Sequence, residues 1–295
     1  MPRIIRVRPI ASSVTPLHLP ERVDNPSPDG EWNLVFHTPR EWHMGADGWQ
    51  VKLLHRGRDV TGKHRDFFRV AEGKGFRYEP HFRPWSFDSR SLSGLTWDKA
   101  PVHLYEVAAK KDTHLMYQPP LRYVYTAQWA PDIDRLLVTT SSEGVLVNQA
   151  GQQHALVQWE IAERETPYTD WLNGGQCFFL VAREASDSSK TRIRFFSGVD
   201  GALLETHDLD PKDLVPYNWE DYVELSRDRL SLISADAGFR SVGSLLDMWS
   251  DMKFDQASNT LFLGVYRPVS PLYREGEDWR CKIKDVWVAV DVAWQ

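Results

Sequence analysis

The sequence has few of the features that mark several common protein classes. Its only two cysteines, Cys177 and Cys281, lie far apart and form no Cys-x-x-Cys pair, which argues against a thiolate zinc site or a thioredoxin-type redox motif. Isolated cysteines are typical of a reducing compartment, where they stay buried and inert. No window approaches the roughly 18 apolar residues of a membrane-spanning helix. The basic N-terminus has only Ile4–Ile5 as an apolar run, too short for a signal peptide, so we expect a cytoplasmic protein.

Positive charge is scarce relative to negative charge. The chain carries 35 Lys and Arg against 41 Asp and Glu, a formal net charge of −6. Nonspecific binding to nucleic acids or anionic membranes needs an excess of basic residues, so the sequence predicts neither partner. It also lacks the P-loop, the dinucleotide-binding glycine motif and the nucleophile elbow of hydrolases. We therefore expect no cofactor.

Short apolar runs separated by polar, turn-forming residues dominate the chain. In WAPDIDRLLVTTSSEGVLVNQAGQ (129–152), residues 136–138 and 145–147 form two such runs. Runs of this kind are typical of β-strands. A closed all-β domain can reach the length of this chain as a single unit. Further strand-like runs lie at 102–107, 122–129, 177–182, 191–196, 260–266 and 285–292.

Helical periodicity is confined to one region. In SVGSLLDMWSDM (241–252), Val242, Leu245, Leu246 and Trp249 fall on one helical face. NWEDYVELSRDRL (218–230) fits either a helix capped by Asn218 or a strand at YVEL. We expect one or two short helices inserted near 218–252 in a mostly antiparallel β fold.

The first thirty residues differ in composition from the rest. TPLHLPERVDNPSPDG carries four prolines and no periodicity, which is typical of extended or loose chain. The sequence therefore predicts an extended N-terminal arm over 1–30 and a single domain over 31–295.

Related units recur along the chain, beginning at Trp85, Trp129, Phe178 and Phe254. In three of them an aromatic and an acidic residue precede a short polar turn and an apolar strand. The start-to-start separations are 44 (129 − 85), 49 (178 − 129) and 76 (254 − 178) residues, and the last leaves room for an insertion. Four-stranded units of roughly 40 to 50 residues are typical of propeller blades.

The phrases WAPDIDRLLV and FDQASNTLFLGV carry a resemblance to β-propellers of the WD40 or TolB type over about 80–290. The Gly-His and terminal Trp-Asp pairs of WD40 repeats are absent; Trp97–Asp98 stands before a strand. The resemblance implies an all-β, propeller-like fold of about five to six four-stranded blades and an interaction scaffold with a central channel. It carries over no catalytic residue. A curled sheet or large sandwich of the same hairpins is the rival architecture.

One stretch has the composition of a binding surface. From Lys52 to Arg83 there are nine basic and four acidic residues, a balance of 9 − 4 = +5, with aromatic residues interleaved. Arg with aromatic residues is enriched in binding hot spots. A solvated hairpin whose aromatics belong to the core is the alternative. The candidate ligand-contacting residues are Arg56, Arg58, Arg65, Arg69, Arg77, Tyr78 and Trp85.

A second candidate site is a metal face. In HTPREWHMGADGW (37–49), His37, His43 and Asp47 supply the two-His, one-carboxylate ligand type of non-haem iron sites. Their spacing of six and then four residues fits no helix or strand template, and ordinary hydrogen-bonding histidines are the alternative. We expect no stoichiometric transition metal.

The preferred hypothesis is a non-catalytic or accessory binding protein that holds a peptide or protein segment, acidic or aromatic, on a β scaffold. The alternative is a metal-dependent, non-haem-type enzyme modifying a peptide or small molecule through His37, His43 and Asp47. A third hypothesis is a self-assembling structural subunit.

Overall fold

The computed structural model describes residues 1–10, 22–37, 50–64, 83–94, 102–115, 124–161, 167–183, 191–209, 249–255, 257–268, 273–275, 278–280 and 283–294. These residues contain β-strands, two short 3-10 helices and no α-helix. The expectation of a mostly antiparallel β fold is confirmed. None of the described helices is long and apolar enough to cross a membrane.

The described residues form 21 β-strands and two 3-10 helices. In order they are β1 (Pro2–Ile10), β2 (Arg22–Pro26), β3 (Trp32–His37), β4 (Gln50–His55), β5 (Arg58–Asp59), η1 (Thr61–His64), β6 (Ser91–Gly94), β7 (Val102–Glu106), β8 (Lys111–Leu115), β9 (Thr126–Trp129), β10 (Leu136–Thr139), β11 (Glu143–Val147), β12 (Gln153–Gln158), β13 (Tyr168–Leu172), η2 (Asn173–Gly175), β14 (Cys177–Arg183), β15 (Thr191–Ser197), β16 (Leu203–Leu209), β17 (Trp249–Asp255), β18 (Thr260–Pro268), β19 (Tyr273–Glu275), β20 (Asp278–Arg280) and β21 (Ile283–Trp294).

One compact unit comprises Met1–Leu17, Asp187–Arg192 and His207–Gln295. Its main sheet has the strand order β1-β21-β18-β17, and every neighbouring pair is antiparallel. Strands β19 and β20 form a separate hairpin. Strand β1 therefore joins a sheet whose other strands come from the C-terminal part of the chain.

The other compact unit comprises His18–Ser186 and Ile193–Thr206. Most of four sheets lies in it: β2 to β5, β6 to β8, β9 to β12, and β13 to β16. We call these the first to fourth sheets. In each, every strand pairs with the next strand along the chain. The first, third and fourth sheets have four strands each, and the second has three described strands. Successive antiparallel meanders are the blade arrangement of β-propellers, so the fold is propeller-like, as predicted.

The repeat has a register of seven residues between paired positions. Trp85 pairs with Leu92, Trp129 with Leu136 and Trp171 with Phe178. Phe254 pairs with Leu261 in the same way in the other unit. The third repeat therefore begins at Trp171, 42 residues after Trp129, and the sequence-based start at Phe178 falls on the partner strand.

The segment PSPDGEWN (26–33) is an earlier copy of the same unit. Pro26 pairs with Asn33, again seven residues on. The turn after it resembles the turn after Trp85, because Ser27 and Ser86 each donate a side-chain hydrogen bond to an Asp two residues later, at 2.6 and 2.8 Å. Strands β1 and β2 both lie within residues 1–30, the predicted arm. The division of the chain into an arm and one domain stays a prediction.

The strands of the third sheet are continuous apolar runs because both faces of this sheet are buried. Leu136, Val138 and Val145 pack into a core cluster with residues of the first and second sheets. Leu137 and Leu146, which alternate with them, pack against the fourth sheet. Because successive side chains of a strand point to opposite faces, a sheet covered on both faces needs apolar residues at every position.

Most of the region predicted to hold one or two short helices, 218–252, lies outside the described residues, which resume at Trp249. From Trp249 onwards the chain is strand β17, so the end of the helix predicted over 241–252 is wrong. Met252 pairs with Leu263 in the ladder with β18. Pairing with a neighbouring strand has overridden the local helical periodicity here.

Candidate ligand-binding surface

The hairpin of β4 and β5 presents a tight, basic turn. Arg56 and Gly57 both have positive φ, 48° and 75°. Two-residue hairpin loops favour positive φ at both central positions because this matches the twist of the flanking strands. His55 and Arg58 are the paired residues that close the loop. The turn therefore places Arg56 at the tip, and η1 follows directly after β5.

The segment from β4 to η1 is positively charged and exposed. Lys52, Arg56, Arg58 and Lys63 are exposed, and Asp59 is its single acid, a balance of 4 − 1 = +3. Asp59 accepts hydrogen bonds from the Thr61 hydroxyl and backbone N–H at 2.7 and 2.9 Å. These bonds lower the pKa of Asp59, so its carboxylate caps η1 and is already hydrogen-bonded.

Among the described residues, Arg56 has a carboxylate partner in Glu31. Its Nε donates to Glu31, and its backbone N–H donates to the Glu31 carbonyl at 2.8 Å. The hydrogen bond with Glu31 raises the pKa of Arg56. Within the described part of the chain, Lys52, Arg58 and Lys63 form no ion pair at contact distance. Among the residues that the structure describes, these three charges are therefore not neutralised by a carboxylate at contact distance.

Aromatic and imidazole rings lie beneath this segment. Trp32 stacks on His55 with ring centroids 4.2 Å apart and meets His64 edge-on at 5.8 Å. His64 Nδ1 is 2.7 Å from the Tyr105 hydroxyl on the second sheet. Burial, followed by the charges of Lys110, Lys63 and His55, lowers the pKa of His64. His64 is therefore held neutral, and Lys110 adds a cation from the second sheet.

We define the basic surface as Arg56, Arg58, Lys63 and Lys110, all exposed. Lys52, three residues before His55 on β4, faces the other side of the sheet. Arg56 and Arg58 were predicted from the sequence. Trp85 was also predicted, but it is only 6% exposed and its Nε1 donates to the Asn25 carbonyl at 2.8 Å. It belongs to the core and is unavailable as a surface anchor.

Trp32, rather than the predicted Trp85, is the aromatic residue beside the basic surface. The sequence analysis missed it because it assigned the preceding PSPDG turn to the arm. The repeated Ser-x-Asp turn was the signal that could have revealed the strand beginning at Trp32. The other predicted residues, Arg65, Arg69, Arg77 and Tyr78, lie outside the described residues.

The predicted metal face is largely outside the described residues as well. His37 ends β3 and pairs with Gln50, whereas His43 and Asp47 are not described. That hypothesis stays a prediction. The predicted inert thiol is seen at Cys177, which is buried. Burial raises the pKa of Cys177 to about 12, so this thiol is a poor nucleophile.

A buried polar cluster links the starts of the second, third and fourth sheets. Asp170 is 2% exposed, accepts from the Trp171 N–H at 2.7 Å and lies 3.5 Å from Arg83 Nε. Burial raises the pKa of Asp170 to about 6, although Arg83 and the Trp171 N–H oppose the rise. Gln128 donates to the Thr169 carbonyl at 2.6 Å. The sequence analysis missed this cluster, because its members meet only through the packing of separate sheets.

No protein-family profile matches the sequence, and no curated protein is significantly similar to it. Similar solved structures include the β-propeller domain of Cps50 (Swd1) from Myceliophteria thermophila, 9% identical over 89% of this chain and 70% of that one, with a TM-score of 0.44. The Dos1 propeller is 8% identical over 91% and 54%, with a TM-score of 0.44.

The putative TolB from Agrobacterium tumefaciens is 15% identical over 63% of this chain and 64% of its own, with a TM-score of 0.41. The chain thus spans less than two thirds of that protein. These structures are β-propeller proteins of the kinds that the sequence resembles. The propeller-like fold class predicted from the repeats is confirmed by the successive antiparallel meanders of the first to fourth sheets.

Proposed function

We propose that this chain is a non-catalytic or accessory binding protein that holds an acidic peptide or protein segment on its β scaffold, in the cytoplasm. The observation that carries the proposal is the basic surface. A chain with a formal net charge of −6 concentrates exposed cations on one hairpin and the following 3-10 helix. A local positive field of this kind speeds the capture of an anionic partner.

The arrangement favours carboxylates within a peptide over an isolated small anion. Arg58 can bind a carboxylate through two parallel hydrogen bonds, and its charge has no carboxylate partner at contact distance in the described part of the chain. The stacked Trp32 and His55 rings supply an aromatic surface beside it. An acidic segment that also carries an apolar or aromatic residue would contact both features.

The scaffold beneath the basic surface is rigid enough to present it. Leu34 and Leu53, on β3 and β4, are fully buried in the core cluster. Leu53 N–H is bonded to the Thr61 hydroxyl at 2.9 Å, which fastens η1 to β4. Arg58 and Lys63 therefore project from anchored backbone, and binding costs little ordering of the main chain.

The test measures binding of a fluorescent glutamate–tyrosine peptide to the full chain by anisotropy. The double variant Arg58→Glu, Lys63→Glu should weaken binding at least tenfold. The affinity of the wild type should fall as salt rises through physiological strength, where the screening length is about 8 Å. A lysine–tyrosine peptide of equal length should not bind.

The matched control is Arg90→Glu, since Arg90 is an exposed arginine outside the basic surface whose Nε lies 3.6 Å from Asp88. It should leave binding unchanged. Affinity that ignores salt and is the same in the double variant would overturn the proposal. By the sequence analysis, Arg65→Glu with Arg69→Glu should also slow association while leaving the protein folded.

A further inference from the structure

Two histidines and one aspartate converge on one face of the β7–β8 hairpin. His103 is the direct partner of His114 across the two strands, and Tyr105 is the partner of Asp112. Directly paired residues share a face of the sheet, and residues two apart on one strand also share a face. The register therefore gathers His103, Asp112 and His114 on a single surface.

The ligand-type atoms of these three residues are close together. His103 Nδ1 lies 2.8 Å and His114 Nε2 lies 3.3 Å from the same atom, Asp112 Oδ2. All three atoms fall within 4.8 Å of one another. With metal–nitrogen and metal–oxygen distances of about 2.0 to 2.2 Å, the ligand atoms of a tetrahedral zinc site are roughly 3.3 Å apart. Small side-chain rotations suffice to reach that geometry.

The surroundings of the cluster combine a buried anchor with solvent access. The His103 side chain is 5% exposed, whereas that of His114 is 52% exposed. Asp112 Oδ1 is buried and has no hydrogen-bond partner among the described residues. Leaving a buried carboxylate oxygen unpartnered is costly, and a bound cation would compensate that charge.

We propose that His103, Asp112 and His114 form a binding site for a divalent transition metal, with Zn²⁺ the best match. Imidazole nitrogens and a carboxylate oxygen are ligands that Zn²⁺ takes readily, and three protein ligands leave a fourth position for water or an anionic ligand. The site differs from the His37, His43 and Asp47 set. It departs from the expectation of no bound metal, because the strand pairing that brings His103, Asp112 and His114 together is not visible in the sequence.

The metal would displace an existing hydrogen-bond arrangement. Asp112 Oδ2 can accept an N–H from each imidazole, from Nδ1 of His103 and Nε2 of His114. Metal ligation uses the lone pairs of those nitrogens, so each imidazole must be neutral and carry its proton on the other nitrogen. Metal affinity should therefore decrease in acid.

The test titrates the chelator-treated full chain with Zn²⁺ by calorimetry and with Co²⁺ by visible absorption. We expect one equivalent of metal per chain and the intense visible bands of tetrahedral Co²⁺. His114→Ala should weaken binding at least tenfold and abolish those bands. Because His114 is half exposed, this variant should remain folded, which its thermal melt checks. Asp112→Asn, which keeps the side-chain shape, should also weaken binding.

The matched control is His154→Ala, an exposed histidine on β12, which should bind metal like the wild type. Binding that survives His114→Ala and Asp112→Asn, or that falls equally in His154→Ala, would show adventitious surface binding and overturn the proposal. So would a wild type that takes up no metal. The glutamate–tyrosine peptide assay, repeated in chelator, tests the basic surface separately, so either proposal can fail alone.

Discussion

The interface between the first and second sheets differs in chemistry from the interface between the third and fourth. In the former, His64 of η1, beside the first sheet, contacts Tyr105 of the second sheet through a 2.7 Å hydrogen bond. The charges of Lys110 and Lys63 act on the His64 imidazole. In the latter, Trp159, which directly follows β12 of the third sheet, lies with its ring centroid 6.3 Å from that of Phe196 of the fourth sheet, and Phe196 stacks on Phe178 within the fourth sheet with centroids 5.1 Å apart. One repeated architecture thus holds a buried titratable group at one interface and aromatic rings at the other.

The difference shows that the side chains between neighbouring sheets can vary in chemistry while the repeated strands stay the same. An interface filled by aromatic rings is stabilised by buried area and needs no hydrogen-bond partners. A buried imidazole must find a partner or pay for desolvation, and His64 finds that partner in the Tyr105 hydroxyl. Both candidate sites, the basic surface and the His103–Asp112–His114 cluster, lie on strands of these first two sheets.

The largest expected effect is in the aromatic interface. Phe178→Ala removes a fully buried ring with contacts to both Phe196 and Trp171. The free energy of unfolding should fall by about 3 to 5 kcal/mol, since a cavity remains where the ring was. Urea denaturation measures it. Val199→Ala, at a position 60% exposed, should change stability by less than about 0.5 kcal/mol. Equal effects of the two variants would contradict the aromatic interface.

The sequence predicted the repeat itself but not its register. Tryptophans and turns at regular spacing indicated repeated blades. Continuous apolar runs such as residues 136–138 indicated strands, because a strand buried on both faces is apolar at every position. The third repeat was misplaced by seven residues, because Phe178 and its pairing partner Trp171 are both aromatic. Which of two aromatics opens a unit depends on the strand pairing, which the sequence does not contain.

The candidate sites were less predictable than the fold. The exposure of Arg56 and Arg58 could be predicted from the sequence, because charged side chains on a tight hairpin turn stay in contact with solvent. Trp85 was misread because its spacing to basic residues said nothing about which face it occupies. His103 and His114 are eleven residues apart in sequence and meet only because the turn between β7 and β8 fixes their register.

The second expected effect tests a charge at the edge of the aromatic interface. Asp170 precedes Trp171, and burial raises its pKa to about 6 from 3.8. The native state then binds the proton more tightly than the unfolded state, so the protonated form favours folding. As pH rises from about 4 to 6 this advantage is lost, and above about pH 6 the full penalty of a buried carboxylate remains.

Asp170→Asn cannot ionise and should lack this dependence. Between pH 4 and 7 the wild type should lose up to about 3 kcal/mol of stability relative to the variant, at 1.36 kcal/mol per pKa unit. Denaturation of both proteins across this range gives the difference, in which other titrating groups cancel. A difference that stays constant with pH would mean that Arg83, 3.5 Å away, keeps Asp170 ionised throughout.

The smallest expected effect tests the polar interface. Tyr105→Phe keeps the buried ring but removes the hydroxyl that contacts His64 Nδ1 at 2.7 Å. The free energy of unfolding should fall by about 1 kcal/mol, the usual net value of one hydrogen bond, with a further cost for the unpartnered imidazole nitrogen. His64→Phe should be destabilising for the same reason, since it leaves the Tyr105 hydroxyl without this partner. The double variant His64→Phe, Tyr105→Phe should cost less than the sum of the single variants, because neither polar group is then left behind. Strict additivity in this cycle would show that the 2.7 Å contact contributes nothing, and the contrast between the polar and the aromatic interface would then rest on packing alone.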